Sequence, residues 1–130
     1  MKPAGAPVRI AARSGGIEGP CIIYNNGYYY LFTSIGKCCN GVNSTYKIMY
    51  GRSRSVTGPY VDKNGRNLLN GGGTIMDSGN DRWRGPGGQD VYRNSSMGYV
   101  MARHAYDAYN NGTPTLLISD LYFWNGWPTY

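Results

Sequence analysis

"GGIEGPCIIYNNGYYYLF", residues 15–32, contains two apolar and aromatic runs separated by Asn-Asn-Gly. The runs belong to predicted strands at Cys21–Tyr24 and Tyr28–Ser34, because β-branched and aromatic residues are enriched in strands. Asn-Gly readily adopts the positive-φ conformations of a tight hairpin turn. The segment therefore predicts an antiparallel hairpin. The only glutamate of the chain, Glu18, lies in a Gly- and Pro-rich bend directly before the first strand.

The rest of the chain repeats this pattern of short apolar runs between Gly, Pro and Asn residues. We find no stretch with the 3.6-residue apolar repeat of a helix, so helix is expected to be nearly absent. The turn-rich segment 95–98 predicts a second tight turn. Further strands are predicted at Val8–Ala12, Ile48–Ser53, Tyr60–Asp62, Asp90–Arg93, Tyr99–Tyr106 and Thr115–Leu121. The chain is thus expected to be all-β, and its weakly repeated meanders are typical of propeller blades, with a β-sandwich as the alternative.

The size and charge of the chain limit its class. Its 130 residues suffice for one compact domain. Thirteen Lys and Arg residues against seven acidic ones give a net charge of +6, but the basic residues are scattered and their closest cluster is Arg52 with Arg54. We therefore do not expect nucleic-acid binding. No segment is apolar over the length that a membrane helix needs, and residues 1–16 lack the apolar core of an export signal, so no membrane partner is expected and the localisation stays unknown.

The three cysteines, Cys21, Cys38 and Cys39, form neither a disulfide framework nor a zinc-binding spacing. Adjacent cysteines do not pair easily, since a disulfide between them strains the peptide that joins them. One disulfide with a leftover thiol is an alternative, but the prediction from sequence is that the cysteines are free or partly buried thiols.

Few residues offer acid-base chemistry. An isolated Glu18 in a turn is most simply a solvent-exposed residue, but its position before a rigid strand also suits a general acid. Asp62 and Asp81 lie in turns and are expected to be exposed. His104, the only histidine, lies within a predicted strand, which favours a buried structural role over a role facing a ligand. The aromatic residues that could stack on sugar rings are Tyr28, Tyr29, Tyr30, Trp83, Trp124 and Trp127.

Several long motifs, taken in order, resemble one known family. They are GGIEGPCIIYNNGYYYLFTS, CCNGVNSTYKIMYGRSRSVTGPYVDKNG, GGGT, WRGPGG and HAYDAYNNGTPTLLISDLYFWNGWP. Together they resemble the C-terminal part of endo-1,5-α-L-arabinanases of glycoside hydrolase family 43. The resemblance extends over residues 8–130, nearly the whole chain.

This resemblance implies a fold and a reaction. The family fold is a five-bladed β-propeller, of which this chain would carry about two blades plus one strand. Residues 1–7 would be an N-terminal extension, and residues 8–130 a partial propeller domain with one blade near 17–75 and another near 76–130. The reaction is inverting hydrolysis of α-1,5-linked L-arabinan. Its general acid is the glutamate of the family's Ile-Glu-(Gly/Ala)-Pro motif, which is Glu18 here, whereas its base and its pKa-modulating aspartate belong to blades that this chain does not match.

The resemblance also bears on ligands. In many bacterial members a Gly-Pro-Gly-His motif supplies a ligand to a central ion, but here Gly88 occupies the histidine position. We therefore assign no metal ligand and no certain cofactor. A central calcium or similar ion is possible, but it would lack that histidine. The loop around Asn43, Ser44 and Thr45 resembles one that lines the family's cleft, so these residues are predicted to contact substrate. His104 is included as a further substrate-binding candidate through its ligand-facing alternative, which does not come from the resemblance.

The sequence thus predicts part of an arabinan-degrading hydrolase with its general acid present and its base absent. The partner would be arabinan or an arabino-oligosaccharide. The missing blades would come from another chain or from a homo-oligomer that closes the ring, since exposed blade edges favour aggregation. The alternatives are a non-catalytic carbohydrate-binding module and an engineered or truncated propeller fragment that assembles with itself.

Overall fold

The computed structural model describes residues 1–95 and 98–130 as a chain of β-strands. The strands are β1 Glu18–Asn25, β2 Tyr28–Ile35, β3 Lys47–Ser53, β4 Thr74–Asp77, β5 Trp83–Asn94, β6 Gly98–Asp107, β7 Thr113–Trp124 and β8 Trp127–Thr129. Single 3₁₀ turns occur at Gly41–Asn43, Leu68–Asn70 and Ala108–Asn110. The predicted all-β class is confirmed.

The strands form two four-stranded sheets in which each strand pairs with its neighbour in sequence, in the orders β1-β2-β3-β4 and β5-β6-β7-β8. All of these pairs are antiparallel. The predicted hairpin is present: Tyr24 pairs with Tyr29, and the turn residues Asn26 and Gly27 have φ of 48° and 89°. Two consecutive meanders of this kind agree with the weak internal repeat of the sequence.

The first sheet is covered on both faces. On the face toward the second sheet, buried aromatic and aliphatic side chains from β2 and β3 pack with Met101 of β6 and Leu121 of β7. On the opposite face, Leu31 and Met49 pack under the N-terminal segment through Ile10 and Ile17. This division follows from the alternation of side chains along a strand. The second sheet, in contrast, exposes Leu116, Ile118, Tyr122 and Trp124 of β7.

Several strand predictions need correction. Residues 8–12 form no strand; this segment instead packs on the first sheet, and the Ala12 N–H donates to the Leu68 carbonyl at 3.0 Å. Residues 60–62 form no strand and contribute only isolated bridges, which join Val61 to Arg52 and to Asn67. The short strands β4 and β8 were not predicted. The predicted turn at 95–98 includes residues 96 and 97, which lie outside the described residues.

Two predictions about side chains were also wrong. Cys38 and Cys39 are joined by a disulfide, and Cys39 has a left-handed backbone with φ of 67°, a conformation that the sequence did not reveal. Asp62 is buried rather than exposed, because its carboxylate accepts the backbone N–H groups of Asn64, Arg66 and Gly73 at 2.9 Å each. Within the part of the chain that the structure describes, no helix has the length and apolarity to cross a membrane.

Candidate active site

Glu18 is the first residue of β1 and lies opposite Ser34 of β2. The register between the two strands shifts after Glu18, and Gly19 has a φ of 55°, a left-handed conformation that glycine adopts without strain. The irregular start of the strand leaves the Glu18 side chain exposed. The sequence prediction that this residue projects from the end of a sheet is therefore consistent with its position.

Tyr46 holds the Glu18 carboxylate. The phenol Oη of this buried tyrosine donates a hydrogen bond of 2.7 Å to Glu18 Oε2. Burial raises the pKa of Tyr46, and its hydrogen bond to Glu18 raises it further. The phenol therefore remains a proton donor to the carboxylate at neutral pH. Gly87 makes this packing feasible, because a Cβ at that position would overlap the Tyr46 ring.

A buried polar network fixes the backbone beside Glu18. Ser34 Oγ donates to Gln89 Oε1 at 2.7 Å and accepts the Gly88 N–H at 2.9 Å. Gln89 Nε2 in turn donates to the Gly19 carbonyl at 2.6 Å. Ser34 and Gln89 are both buried, and they come from different sheets. The network therefore couples the acid-bearing strand β1 to β5 of the second sheet.

His104 packs beside Tyr46, and we call Glu18, Tyr46, Ser34, Gln89 and His104 together the Glu18 cluster. Its imidazole stacks on the Tyr46 ring with centroids 5.8 Å apart and meets the Tyr106 ring edge-on at 5.9 Å. Partial burial lowers the pKa of His104, so the neutral imidazole is favoured near neutral pH. His104 thus lies one aromatic ring away from the residue that contacts Glu18.

Gly88 lies directly against the His104 imidazole. A Cβ built on Gly88 would lie 2.9 Å from His104 Cδ2, and the φ of Gly88 is 61°. The imidazole of His104 therefore occupies the space that a side chain at position 88 would enter. Across residues 1–95 and 98–130, no group of three or more His, Cys, Asp or Glu side chains is placed to hold a metal ion.

The loop predicted to contact substrate is held by its own hydrogen bonds. Ser44 Oγ accepts the Asn40 N–H at 3.0 Å, and Thr45 Oγ1 accepts the Lys37 N–H at 3.1 Å. Asn43 is exposed. The loop adjoins the Glu18 cluster, because the Cys39 N–H donates to Tyr106 Oη at 2.7 Å and Ser44 packs against Gly85 of β5.

A cavity of about 220 Å³ adjoins Glu18 on the side of the N-terminal segment. Apolar groups of Ile10, Ile17 and Leu31 line most of it. Thr33 also lines this cavity, and its buried Oγ1 has no hydrogen-bond partner among the described residues. The space beside the acid is therefore mainly apolar with one unused hydroxyl.

Three aspartates have partners away from Glu18. Asp77 pairs with Arg103 at 2.8 Å, and Asp107 pairs with Arg82 at 2.9 Å. Asp90 accepts a hydrogen bond from the Cys21 thiol at 3.3 Å, and burial raises the pKa of that thiol to about 11. Among the described residues, the hydrogen bonds and ion pairs bring no aspartate to Glu18.

Sequence reasoning missed Tyr46, Ser34 and Gln89. Ser34 and Tyr46 lie within quoted family motifs, but the sequence did not indicate their partners, which are at least 28 positions away. The regular hairpin register would place Glu18 opposite Ile35, and the register shift between Glu18 and Cys21 places it opposite Ser34 instead. Of the predicted sugar-stacking residues, Trp124 is exposed, whereas the Trp127 ring lies under the Arg52 guanidinium at 3.9 Å.

Comparison with known proteins matches residues 5–128 to Glycosyl hydrolases family 43. The chain is 59% identical to the extracellular endo-α-(1→5)-L-arabinanase 1 of Bacillus subtilis, over 100% of this chain and 40% of that protein. It is 44% identical to the extracellular exo-α-(1→5)-L-arabinofuranosidase ArbA of Cellvibrio japonicus, over 90% of this chain and 34% of that protein.

The chain also resembles solved arabinanase structures. A GH43 endo-arabinanase from Bacillus licheniformis superposes with a TM-score of 0.92 at 60% identity, over 100% of this chain and 45% of that one. A Cellvibrio cellulosa α-L-arabinanase complexed with arabinohexaose superposes with a TM-score of 0.83 at 43% identity, over 87% of this chain and 36% of that one. The chain therefore spans less than half the length of these relatives. Since the family match covers nearly the whole chain, the protein belongs to glycosyl hydrolase family 43.

Proposed function

We propose that this chain is the acid-bearing part of an α-1,5-L-arabinan hydrolase, with Glu18 as general acid. The observation that carries the proposal is the exposed Glu18 carboxylate, held on one oxygen by Tyr46 at the irregular start of β1. The endo-arabinanase name of the Bacillus subtilis relative supports the substrate, as does the arabinohexaose complex of the Cellvibrio protein.

The geometry suits proton donation from one carboxyl oxygen. Tyr46 occupies Oε2, and within the described part of the chain Oε1 has no hydrogen-bond partner. The acidic proton would therefore reside on Oε1 and pass to the glycosidic oxygen as the bond to the anomeric carbon breaks. In inverting hydrolysis a water molecule attacks that carbon from the opposite face, and a second carboxylate takes its proton.

The second carboxylate is the missing part. In inverting glycosidases the two carboxyl groups lie about 6.5–9.5 Å apart, which leaves room for the water molecule. The aspartates paired with Arg82 and Arg103 are poor candidates, because their charges are already compensated. We infer that the base belongs to further sheets of a five-bladed propeller supplied by another chain. Copies of this chain could close the ring, but each would bring a second Glu18 rather than the base.

Substrate contacts are proposed for Asn43, Ser44, Thr45 and His104. The loop is held next to the Glu18 cluster by the bond from Cys39 to Tyr106. His104 presents a flat, half-buried ring beside Tyr46, and such a ring can pack on the C–H face of a sugar. These four residues would orient arabinofuranosyl units against Glu18.

A non-catalytic arabinan-binding module is the second candidate, and the absence of an aspartate beside Glu18 among the described residues favours it. Affinity electrophoresis in a gel containing debranched arabinan, paired with a reducing-sugar assay, separates the two. Hydrolysis predicts retardation together with slow sugar release, which Glu18→Gln abolishes. Retardation without any release would favour the binding module.

The solution mass tests the assembly proposed here. A closed ring made by copies of this chain predicts a mass that is a multiple of the 14.3 kDa chain. Light scattering after size-exclusion chromatography measures it directly. A mass of 14.3 kDa would exclude ring closure by self-association.

A further inference from the structure

A cavity of about 370 Å³ outside the Glu18 cluster is strongly basic. It is lined by the cationic residues Arg13, Lys37 and Lys47, with Thr45 and the backbone of Gly16 beside them, and neither Glu18 nor any aspartate lines it. Its volume is within the range of small-ligand sites. Three positive charges around one concave surface raise the local potential and attract anions.

The cations have no acidic partner of their own. In the described part of the chain, the ion pairs join Arg82 to Asp107 and Arg103 to Asp77. The guanidinium of Arg13 is half-buried and donates to the neutral Met49 sulfur at 3.5 Å. The guanidinium therefore contacts the first sheet, and its charge has no acidic partner among the described residues.

The local backbone holds these cations together. Lys47 pairs with Ile35 across the ladder between β2 and β3. The Thr45 N–H donates to the Lys37 carbonyl at 2.9 Å, and Thr45 Oγ1 accepts the Lys37 N–H at 3.1 Å. Gly36 allows this closure, because a Cβ there would overlap the Thr45 carbonyl. The basic cavity is thus built on paired strands and a tightly bonded loop.

Tyr46 separates this cavity from the candidate acid. Its chain neighbours Thr45 and Lys47 line the cavity, whereas Tyr46 itself turns to Glu18. A ligand in the cavity would therefore lie next to the segment that positions the acid without contacting Glu18.

We propose that this cavity binds an oxyanion carried on a small polar molecule, which the three cations bind through charge-assisted hydrogen bonds. Carboxylate and phosphate groups share this chemistry. The carboxylate of an acidic sugar and inorganic phosphate are the two sources to distinguish. The hydroxyl of Thr45 and the polar backbone of the glycine turn add donors and acceptors for the remainder of the molecule.

Isothermal titration calorimetry on the whole chain tests the site with three probes: trigalacturonate, inorganic phosphate and neutral arabinotriose. The double variant K37M/K47M should weaken anion binding by at least about tenfold, as expected for loss of hydrogen bonds to charged groups. The matched control K2M/K63M removes the same charge from outside the cavity and should leave the affinity within about twofold.

The probes distinguish the sources. Tighter binding of trigalacturonate than of phosphate assigns an acidic sugar, and the reverse assigns a phosphate compound. The charge-preserving variant K37R/K47R guards against misfolding, since it should retain binding. The proposal is overturned if neither anion binds, if arabinotriose binds as tightly as the anions, or if both methionine variants weaken binding equally.

Discussion

Tyr46 and Glu18, 28 positions apart in the sequence, are joined by a 2.7 Å hydrogen bond from the phenol to one carboxylate oxygen. The bond connects the start of β1 to the loop before β3, which also carries Ser44 and Thr45. It therefore gives the candidate acid a fixed orientation relative to the residues proposed to contact the sugar.

Replacing Tyr46 by Phe should disturb function more than folding. The ring would keep its packing on His104, and loss of the hydroxyl should reduce the free energy of unfolding by about 0.5–1.5 kcal/mol. Arabinan hydrolysis should fall by roughly tenfold, because a misoriented acid transfers its proton less effectively. Reducing-sugar assays and urea unfolding measure the two effects. Tyr60→Phe is the matched control, since its hydroxyl bonds to Val56 away from Glu18, and equal activity losses in both variants would argue against a special role for Tyr46.

Gly87→Ala should destabilise the fold through the same tyrosine. The added methyl group overlaps the Tyr46 ring, and overpacking of this kind costs about 1–3 kcal/mol. Gly5→Ala is the control, because nothing lies within 4 Å of a Cβ there. Urea denaturation midpoints for the two variants give the comparison, and identical midpoints would show that Tyr46 does not pack on Gly87 in solution.

Ser34→Ala tests the buried network. Removing Oγ leaves Gln89 Oε1 and the Gly88 N–H without their partner, at a cost of about 1–3 kcal/mol in the free energy of unfolding. The neighbouring hydroxyl of Thr33 is also buried but has no described partner, so Thr33→Val should cost less than Ser34→Ala. Unfolding curves of both variants test this order, and the reverse order would contradict the assigned network.

The pH dependence of stability should contain a contribution from His104. Its pKa is lowered in the folded chain, so the unfolded chain binds the proton more tightly. Stability from this group is present above pH 6.5 and is lost as the pH falls through the folded pKa. At lower pH, protonation of Asp62 and Asp107 should cause most of the further loss of stability, because the pKa values of both carboxyl groups are lowered in the folded chain.

His104→Phe should flatten stability between pH 6.5 and the folded pKa of the histidine. Because His104 is the only histidine, one imidazole proton resonance reports its titration directly. A midpoint at or above 6.5 in the folded chain would contradict the burial of this ring.

The sequence predicted those parts of the structure that depend on local signals. Asn26 and Gly27 marked the hairpin, and a run of aromatic residues marked β2, because turn conformation and strand packing are set by neighbouring residues. Residues 8–12 showed a strand-like composition, but they pack on a sheet without pairing in it, and only tertiary contacts determine that outcome.

The sequence predicted the acid of the candidate site but not the residues that position it. Glu18 could be singled out because a family motif surrounds it. Tyr46, Ser34 and Gln89 could not, since they act through contacts between segments that are distant in the sequence. The disulfide between Cys38 and Cys39 depends on a left-handed backbone at Cys39 that composition does not encode.

The central claim is that Glu18 protonates the leaving sugar. The most direct test compares reducing-sugar release from debranched arabinan by the unaltered chain and by Glu18→Gln, with Asp81→Asn as the control because Asp81 is exposed and lies elsewhere. If Glu18 is the general acid, the unaltered chain and Asp81→Asn should release sugar slowly, and Glu18→Gln should release it about 10²–10⁴-fold more slowly still. Equal rates in all three proteins would contradict it.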